Sequence, residues 1–244
     1  MPDRGRSVKA RKWPAIIGFP TYSARRSAGA SGIALLLFLL LVGLIVAYRF
    51  VDPISTIMLG RMIAQEKVTQ KFVPLNRISE NLRVAVVTSE DAHFCHHHGV
   101  DWGAMREVIN ESGIDGPSRG ASTITMQVAK NLFLWPGHSY IRKAFEIPLA
   151  LVLDFVWPKR RILEIYLNIA EWGDDGIFGA EAASNAYFHE PAADLTLHQA
   201  ALMAAVLPDP RDRDASDPDR RVLIHAHIVE TRAAAGETSV ACFK

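Results

Sequence analysis

Cysteine is nearly absent: a chain of 244 residues carries only Cys95 and Cys242. Two cysteines do not make the disulfide framework that staples small secreted domains, so the chain is expected to be held by its own core. Net charge is as scarce. A formal +1 at pH 7 lacks the basic surplus that phosphate backbones attract, and no nucleic-acid partner is expected. No internal repeat, low-complexity tract or alternating strand of any length is visible. Helical periodicity is what remains, and the fold is expected to be mostly α.

A metal centre is also missing, although one stretch imitates it. "SEDAHFCHHHGV", Ser89 to Val100, gathers His93, His96, His97, His98 and Cys95. Neighbouring side chains diverge by about 100° on a helix and to opposite faces on a strand, so His96, His97 and His98 cannot converge on one ion. Only His93 and His97 are spaced to share a helical face, and no later cluster completes four-coordination. The chemistry of the stretch therefore rests on Glu90 and Asp91, with Phe94, His97 and Gly99 as scaffold.

Long hydrophobic runs are rare as well, and the one present sets the compartment. Ala28 to Tyr48 is uncharged and rich in Leu, Ile and Val, long enough for the about 20 residues that cross about 30 Å of hydrocarbon. No small-x-small cleavage site follows in "IVAYRFVDP", so the run reads as a retained anchor. Arg4, Arg6, Lys9, Arg11, Lys12, Arg25 and Arg26 precede it, with Asp3 the only acid there. That asymmetry puts the N-terminus in the cytoplasm and everything after Tyr48 on the far side.

Beyond the anchor, Pro53 and Pro74 punctuate a connector. Ser79 reads as the N-cap of a helix that carries Leu82, Ala85, Val86 and Ser89 on one stripe and ends at Glu90. Ser122 or Thr123 caps the next clear helix. "SYIRKAFEIPLALVLDFVW" spaces Ile141, Phe145, Leu149 and Val152 helically, and Pro158 at the first helical position opens "PKRRILEIYLNIA". "GAEAASNAYF" and "TLHQAALMAAVL" continue the pattern. From Asp209 a charged loop leads to one last helix through Arg232 and a frayed end.

Four stretches then align: Glu90-Asp91-x-x-Phe94-x-x-His97-x-Gly99; "GASTITMQVAKN", Gly120 to Asn131; "RKAFE", Arg142 to Glu146; and "KRRILEIYLN", Lys159 to Asn168. In this order they are highly specific, and with "IAEWGDDGIFGAEAASNAYF" the chain resembles the family 51 glycosyltransferases, in particular the monofunctional peptidoglycan glycosyltransferases. The likeness covers roughly Arg77 to Pro208 plus the anchor. It departs at Met126, where the family usually has a second glutamine, at Ala121, often glycine, and at Pro148, inside a helix normally free of proline.

The resemblance implies a lysozyme-like, bilobal, mostly α glycosyltransferase domain behind one N-terminal transmembrane helix. Its divisions are a cytoplasmic segment 1–27, the helix 28–48, a connector 49–76, the catalytic domain 77–210 and a tail 211–244. It implies an inverting polymerase that moves a lipid-diphosphate-linked glycan onto the 4-hydroxyl of lipid II, anchored in the inner membrane with its catalytic domain in the periplasm. Such a reaction needs a base for the hydroxyl and cations for the diphosphate. Glu90, at a partly buried helix end and crowded by Asp91, is expected to have the raised pKa that suits a base. By resemblance Glu146 is the second carboxylate, near the diphosphate, where it orients Arg142 or helps hold a divalent ion. Lys130, Arg142 and Lys143 suit phosphate oxygens, and Asp91, Ser122, Thr123, Gln127 and Asn131 are further substrate contacts. Mg²⁺ or Mn²⁺ bridging the diphosphate is the implied cofactor; lipid II, nascent glycan, the membrane, and penicillin-binding and division proteins are the implied partners. Glu164, Tyr166 and Asn168 are expected to be structural, while Lys159, Arg160 and Arg161 are either a solvated helix start or further cations.

A lysozyme-like glycan hydrolase also uses paired carboxylates in an α-rich lobe, but needs no row of phosphate-directed cations. An inactive wall-building scaffold is disfavoured by Glu90, Lys130, Arg142 and Glu146 standing intact. With no Ser-x-x-Lys and no Lys-Thr-Gly, peptide crosslinking is not expected. In "NLFLWPGHSY", Leu132 and Phe133 read as core, whereas Leu134 and Trp135, ahead of Pro136-Gly137, are expected at the membrane interface.

Overall fold

The computed structural model describes residues 25–111, 122–135, 137 and 140–244. Arg4, Arg6, Lys9, Arg11, Lys12, Gly120, Ala121 and Pro136 fall outside them. The chain divides into two compact units, Met1–Val42 and Gly43–Lys244.

The first unit holds most of helix α1, Arg25–Tyr48. Within it Ser31–Tyr48 has a mean hydropathy of 2.6, and only 6% of that window is buried by protein. A core helix of a soluble domain would be covered; this one is long and apolar enough to cross a membrane and is left bare.

The second unit is helical apart from one small sheet. Helix α2, Thr56–Ile63, precedes strand β1, Thr69–Gln70, and a single 3₁₀ turn at Leu75–Arg77. Helices α3, Glu80–Glu90, α4, Trp102–Glu111, α5, Ile124–Phe133, α6, Tyr140–Val156, and α7, Lys159–Ile169, follow. Strands β2, Glu171–Gly173, and β3, Ile177–Phe178, lead to α8, Ala180–Phe188, α9, Leu197–Val206, and α10, Arg220–Ala234. The sheet order is β1-β3-β2, with β1 parallel to β3 (Thr69 opposite Ile177) and β2 antiparallel to it (Glu171 opposite Phe178). Helix α3 packs with α9 and α10, and α5 packs with α6 and α7. These are two helical layers in the mostly α architecture expected.

The caps fall where the hydroxyls are. Ser79 accepts from Leu82 N and Thr123 from Met126 N, each at 3.1 Å, satisfying first-turn donors for about 1 kcal/mol apiece. Leu82, Ala85 and Val86 are buried as spaced, with Val87 and Thr88 added to the stripe. Pro158 is the N-cap of α7, one residue outside the first helical position. Gly99 is required by its backbone: φ is +81°, and a Cβ there would meet Ala150 O at 2.5 Å.

Helix α6 keeps the expected helical spacing and turns much of its apolar stripe outward. Its apolar stripe faces outward, with Ile141 68%, Phe145 52%, Val152 45% and Phe155 92% exposed, while Arg142 and Glu146 are 7% and 2% exposed. Helical spacing was legible; which face is inside was not. Both segments expected to flank the domain also feed its core: Met58, Val73 and Leu75 on one side, Val222, Ala226, Val229 and Phe243 on the other. Asn168 knits the first of them in, with its side-chain amide donating to Val73 O at 2.9 Å and its oxygen accepting from Val73 N at 2.8 Å.

The cysteines add one feature that their number did not suggest. Cys95 and Cys242, 147 positions apart, are joined by a disulfide. Two cysteines are too few for a framework, yet enough for one tether, and sequence spacing alone does not show that the chain's end returns to the loop after Glu90.

Candidate active site

A cavity of about 210 Å³ opens beside the C-terminal end of α3, lined among others by Glu90, Asp91, His93, Asp101, Ser122 and Thr123. Glu90 is the last residue of α3 because Asp91 leaves helical geometry at φ −160°, ψ 70°. Glu90 Oε2 accepts from Gln127 Nε2 at 2.8 Å, and Gln127 Oε1 accepts from Tyr166 OH at 3.1 Å. This relay fixes both the Gln127 amide and the carboxylate. Burial pushes the Glu90 pKa above the usual carboxylate range, and Asp91 adds to the rise; Gln127, Lys130 and Arg213 oppose it without cancelling it.

Asp91 lines the cavity and is held on two sides. Its carboxylate accepts from His97 Nε2 at 2.8 Å and from Ile124 N at 3.0 Å, joining the end of α3 to the start of α5. Thr123 is 3% exposed, and its hydroxyl donates to Gly99 O at 2.6 Å. Both brace the cleft wall.

Cations run from Glu90 toward α6. Lys130, one helical turn after Gln127, interacts with both Glu90 and Arg142, and burial lowers its pKa. Arg142 pairs with Glu146 Oε1. Lys143 Nζ donates to Glu146 Oε2 at 2.9 Å and to Ser122 Oγ at 2.7 Å. Burial, then the neighbouring Arg142 and Lys130, bring the Lys143 pKa down to about 8. The arrangement is a high-pKa carboxylate at one end and an anion cradle at the other.

The divalent ion implied by the resemblance finds no ligand set here. Both Glu146 oxygens are engaged by cations, and among the described residues no three His, Cys, Asp or Glu side chains converge on a point.

Residues 57–233 match the family described as transglycosylase. A biosynthetic peptidoglycan transglycosylase of Agrobacterium fabrum is 49% identical over 211 residues, covering 86% of this chain and 92% of that protein. One from Brucella suis is 48% identical over 221 residues, covering 90% and 98%. One from Rhodospirillum centenum is 46% identical over 217 residues, covering 88% and 92%.

The chain belongs to the transglycosylase family.

In this transglycosylase Glu90, Ser122, Gln127, Lys130, Arg142, Lys143 and Glu146 are joined by one chain of hydrogen bonds, ion pairs and charge interactions beside the cavity. Asn131 stands apart: 8% exposed near the end of α5, its backbone oxygen accepts from Thr56 Oγ1 at 3.1 Å. The cations of "KRR" also belong elsewhere. Lys159 pairs with Asp154 at 2.7 Å and lies 4.5 Å over the Phe94 ring. Arg161 pairs with Glu164 and donates to Tyr48 O and Val51 O. Among the described histidines, His97 alone braces Asp91; the His98 side chain is 96% exposed, and His93 binds Asp101 at 2.9 Å.

Two residues near Glu90 escaped the sequence reading. Tyr166 carries the relay's outer hydroxyl, and its place on α7 between buried Ile165 and Leu167 disguised it as core. Arg213 comes from the loop after α9, anchored by NH1 donating to Ala205 O at 2.7 Å. No spacing rule links that loop to α3.

Proposed function

We propose that this transglycosylase polymerises lipid II into linear glycan strands, with Glu90 as general base and Lys130, Arg142 and Lys143 as the diphosphate cradle. The observation that carries the reading is the continuous line of charge from a carboxylate of raised pKa through Lys130 to the Arg142–Glu146–Lys143 cluster. Glu90 takes the proton of the acceptor 4-hydroxyl as that oxygen bonds to the donor's anomeric carbon. The bond from that carbon to the diphosphate breaks with inversion, and the lipid diphosphate departs onto the cations. Glu146 keeps the cations ordered and partly neutralised before substrate arrives. Mg²⁺ or Mn²⁺ enters, on this reading, as a counter-ion of the substrate diphosphate. The test is the full chain in detergent with lipid II, product resolved by size. A ladder of lengthening glycan is expected; shortening of finished glycan would identify a hydrolase instead, and no product an inactive scaffold.

The pH profile follows from two groups with opposite signs. Glu90 acts deprotonated, so its raised pKa moves the acid limb above that of an ordinary glutamate, and rate falls as pH drops through it. Lys143 acts protonated, so rate also falls as pH rises past about 8. Lys143→Arg, charged throughout, is expected to move the alkaline limb of kcat/KM upward and leave the acid limb in place. An unmoved alkaline limb removes Lys143 from the cradle.

On the same reading the domain works in the periplasm, behind an inner-membrane anchor. The basic segment ahead of α1 supports that orientation, and so does the Cys95–Cys242 bridge, since such bonds persist in oxidising compartments. The outward stripe of α6 supports contact with the bilayer. Exposed rings and branched chains forgo about 1.5–3 kcal/mol each relative to burial, which is much to leave in water along one face. Trp135, 47% exposed, joins the stripe through Phe145 at 6.3 Å, whereas Leu134, at 9%, is core and not interfacial. Phe145→Ser with Phe155→Ser in the full chain is expected to leave the melting temperature near wild type. Polymerisation of vesicle-embedded substrate should slow at least about tenfold, since two rings of about 1.5–3 kcal/mol transfer each are removed, with turnover of a short-chain soluble analogue unchanged. Equal slowing on both substrates, or none on either, removes the stripe from docking.

A further inference from the structure

The end of the chain closes on the end of the catalytic helix. After α10 the backbone turns at Gly236, φ +68°, and the tail reaches α3. Thr238 Oγ1 and Thr88 Oγ1 share a buried hydrogen bond of 2.7 Å, two residues before Glu90. Cys242 is bonded to Cys95, five residues after Glu90. Phe243 is 1% exposed and stacks on Phe94 at 6.3 Å between ring centroids. Its backbone oxygen accepts from Arg83 NH1 at 3.5 Å, and Lys244 pairs with Glu80 at 3.3 Å.

These contacts bracket Glu90 on both sides in sequence. Phe94 lies edge-on to His97 at 6.3 Å, and His97 holds Asp91 at 2.8 Å. Asp91 in turn fixes Ile124 N, on the helix that delivers Gln127 to Glu90. Tail, Phe94, His97, Asp91 and the Gln127–Glu90 bond form one mechanical series. Beyond α10 the tail has no helix or strand to hold its place, so its register depends on the disulfide, the threonine pair, the Phe243 ring and the polar contacts to Arg83 and Glu80. The catalytic residues themselves do not use the bond.

We propose that residues 238–243 are a positioning element for the Glu90 loop, locked by the Cys95–Cys242 bridge, so that full polymerase turnover requires the oxidised chain. The bond forms by exchange with an oxidised dithiol, which takes up two electrons and the two thiol protons; an added dithiol reverses it and is itself oxidised to a disulfide. Both cysteines are half-buried, which leaves the bond within reach of such a partner. The inference rests on the polymerase reading and adds a redox requirement to it.

The test compares oxidised full chain, the same chain treated with dithiothreitol, and Cys95→Ser/Cys242→Ser, each on lipid II across pH. Displacement of a catalytic group by a fraction of an ångström supports an expected kcat loss of about tenfold, with KM within about twofold. The acid limb should move to lower pH as water reaches a loosened Glu90. Reoxidation should restore the wild type and leave the serine pair unchanged. Opening a purely stabilising bond would lower the melting temperature and move neither kcat nor the acid limb; that result overturns the inference. Should the open forms lose helical signal at the assay temperature, Phe243→Ala and Phe243→Leu decide with the bridge intact. The alanine is expected to reproduce the kcat loss and limb shift and the leucine to rescue both; wild-type kinetics in both variants overturns the inference. If oxidised wild type makes no glycan from lipid II, the polymerase reading falls and the inference with it, a result distinct from equal rates in oxidised and reduced protein.

Discussion

Glu90→Gln in the full chain is expected to lower glycan polymerisation by about 10²–10⁴-fold, the range typical of removing a general acid–base group. The substitution keeps the side chain's length and shape, and the new amide oxygen still accepts from Gln127 Nε2, so the relay to Tyr166 survives. What is lost is a site for the acceptor's proton. Loss of the buried carboxylate also removes a desolvation cost, so thermal stability should be equal to or slightly above wild type. A gel of glycan product and a melting curve on the same preparation measure both. If the well-folded variant retains more than half the activity, Glu90 is not the base.

Much of this site was legible because its signals are local. Ser79 and Thr123 cap helices through hydroxyls that sequence displays directly, and Glu90 falls at a helix end that the Leu82–Ala85–Val86 stripe sets in advance. Arg142 and Glu146 are one turn apart and meet on one face of α6. Local signals do not report direction. The rule that apolar stripes face inward fails on α6, where charged residues line the cleft and aromatic ones face out. Apolar residues in fact lie on both sides of α6, since Ala150 and Leu153 are buried while Phe145 and Phe155 face out, and periodicity alone does not separate the two. Contacts at long separation were not legible at all. The Cys95–Cys242 bond and the approach of Arg213 to Glu90 depend on where α10 and the loop after α9 come to rest, which is tertiary packing and not spacing. Asp91 shows a third limit. Its residue type fits a substrate contact, and the hydrogen bonds from His97 and Ile124 add a bracing role that spacing does not display.

Arg142→Lys carries the second large effect, because it keeps the charge and removes the geometry. Arg142 is 7% exposed and pairs with Glu146, while Lys143 takes that carboxylate's other oxygen. A guanidinium presents a planar fork that satisfies the carboxylate and still directs N–H groups to phosphate oxygens; an ammonium is a point charge that must choose between them. Hydrogen bonds to charged groups are worth about 1.5–3 kcal/mol each, so kcat/KM is expected to fall about 10–100-fold through one lost contact. Stability should fall less than in Arg142→Ala, since lysine retains a partner for Glu146 and alanine leaves it facing Lys143 alone. The order of the two variants separates the roles. If Arg142 served only to hold Glu146, lysine would restore most activity along with most stability. If it holds the departing diphosphate, lysine restores stability and leaves turnover low. Steady-state kinetics on lipid II beside melting curves for both variants read the difference, and wild-type kinetics in Arg142→Lys would move the diphosphate site away from α6.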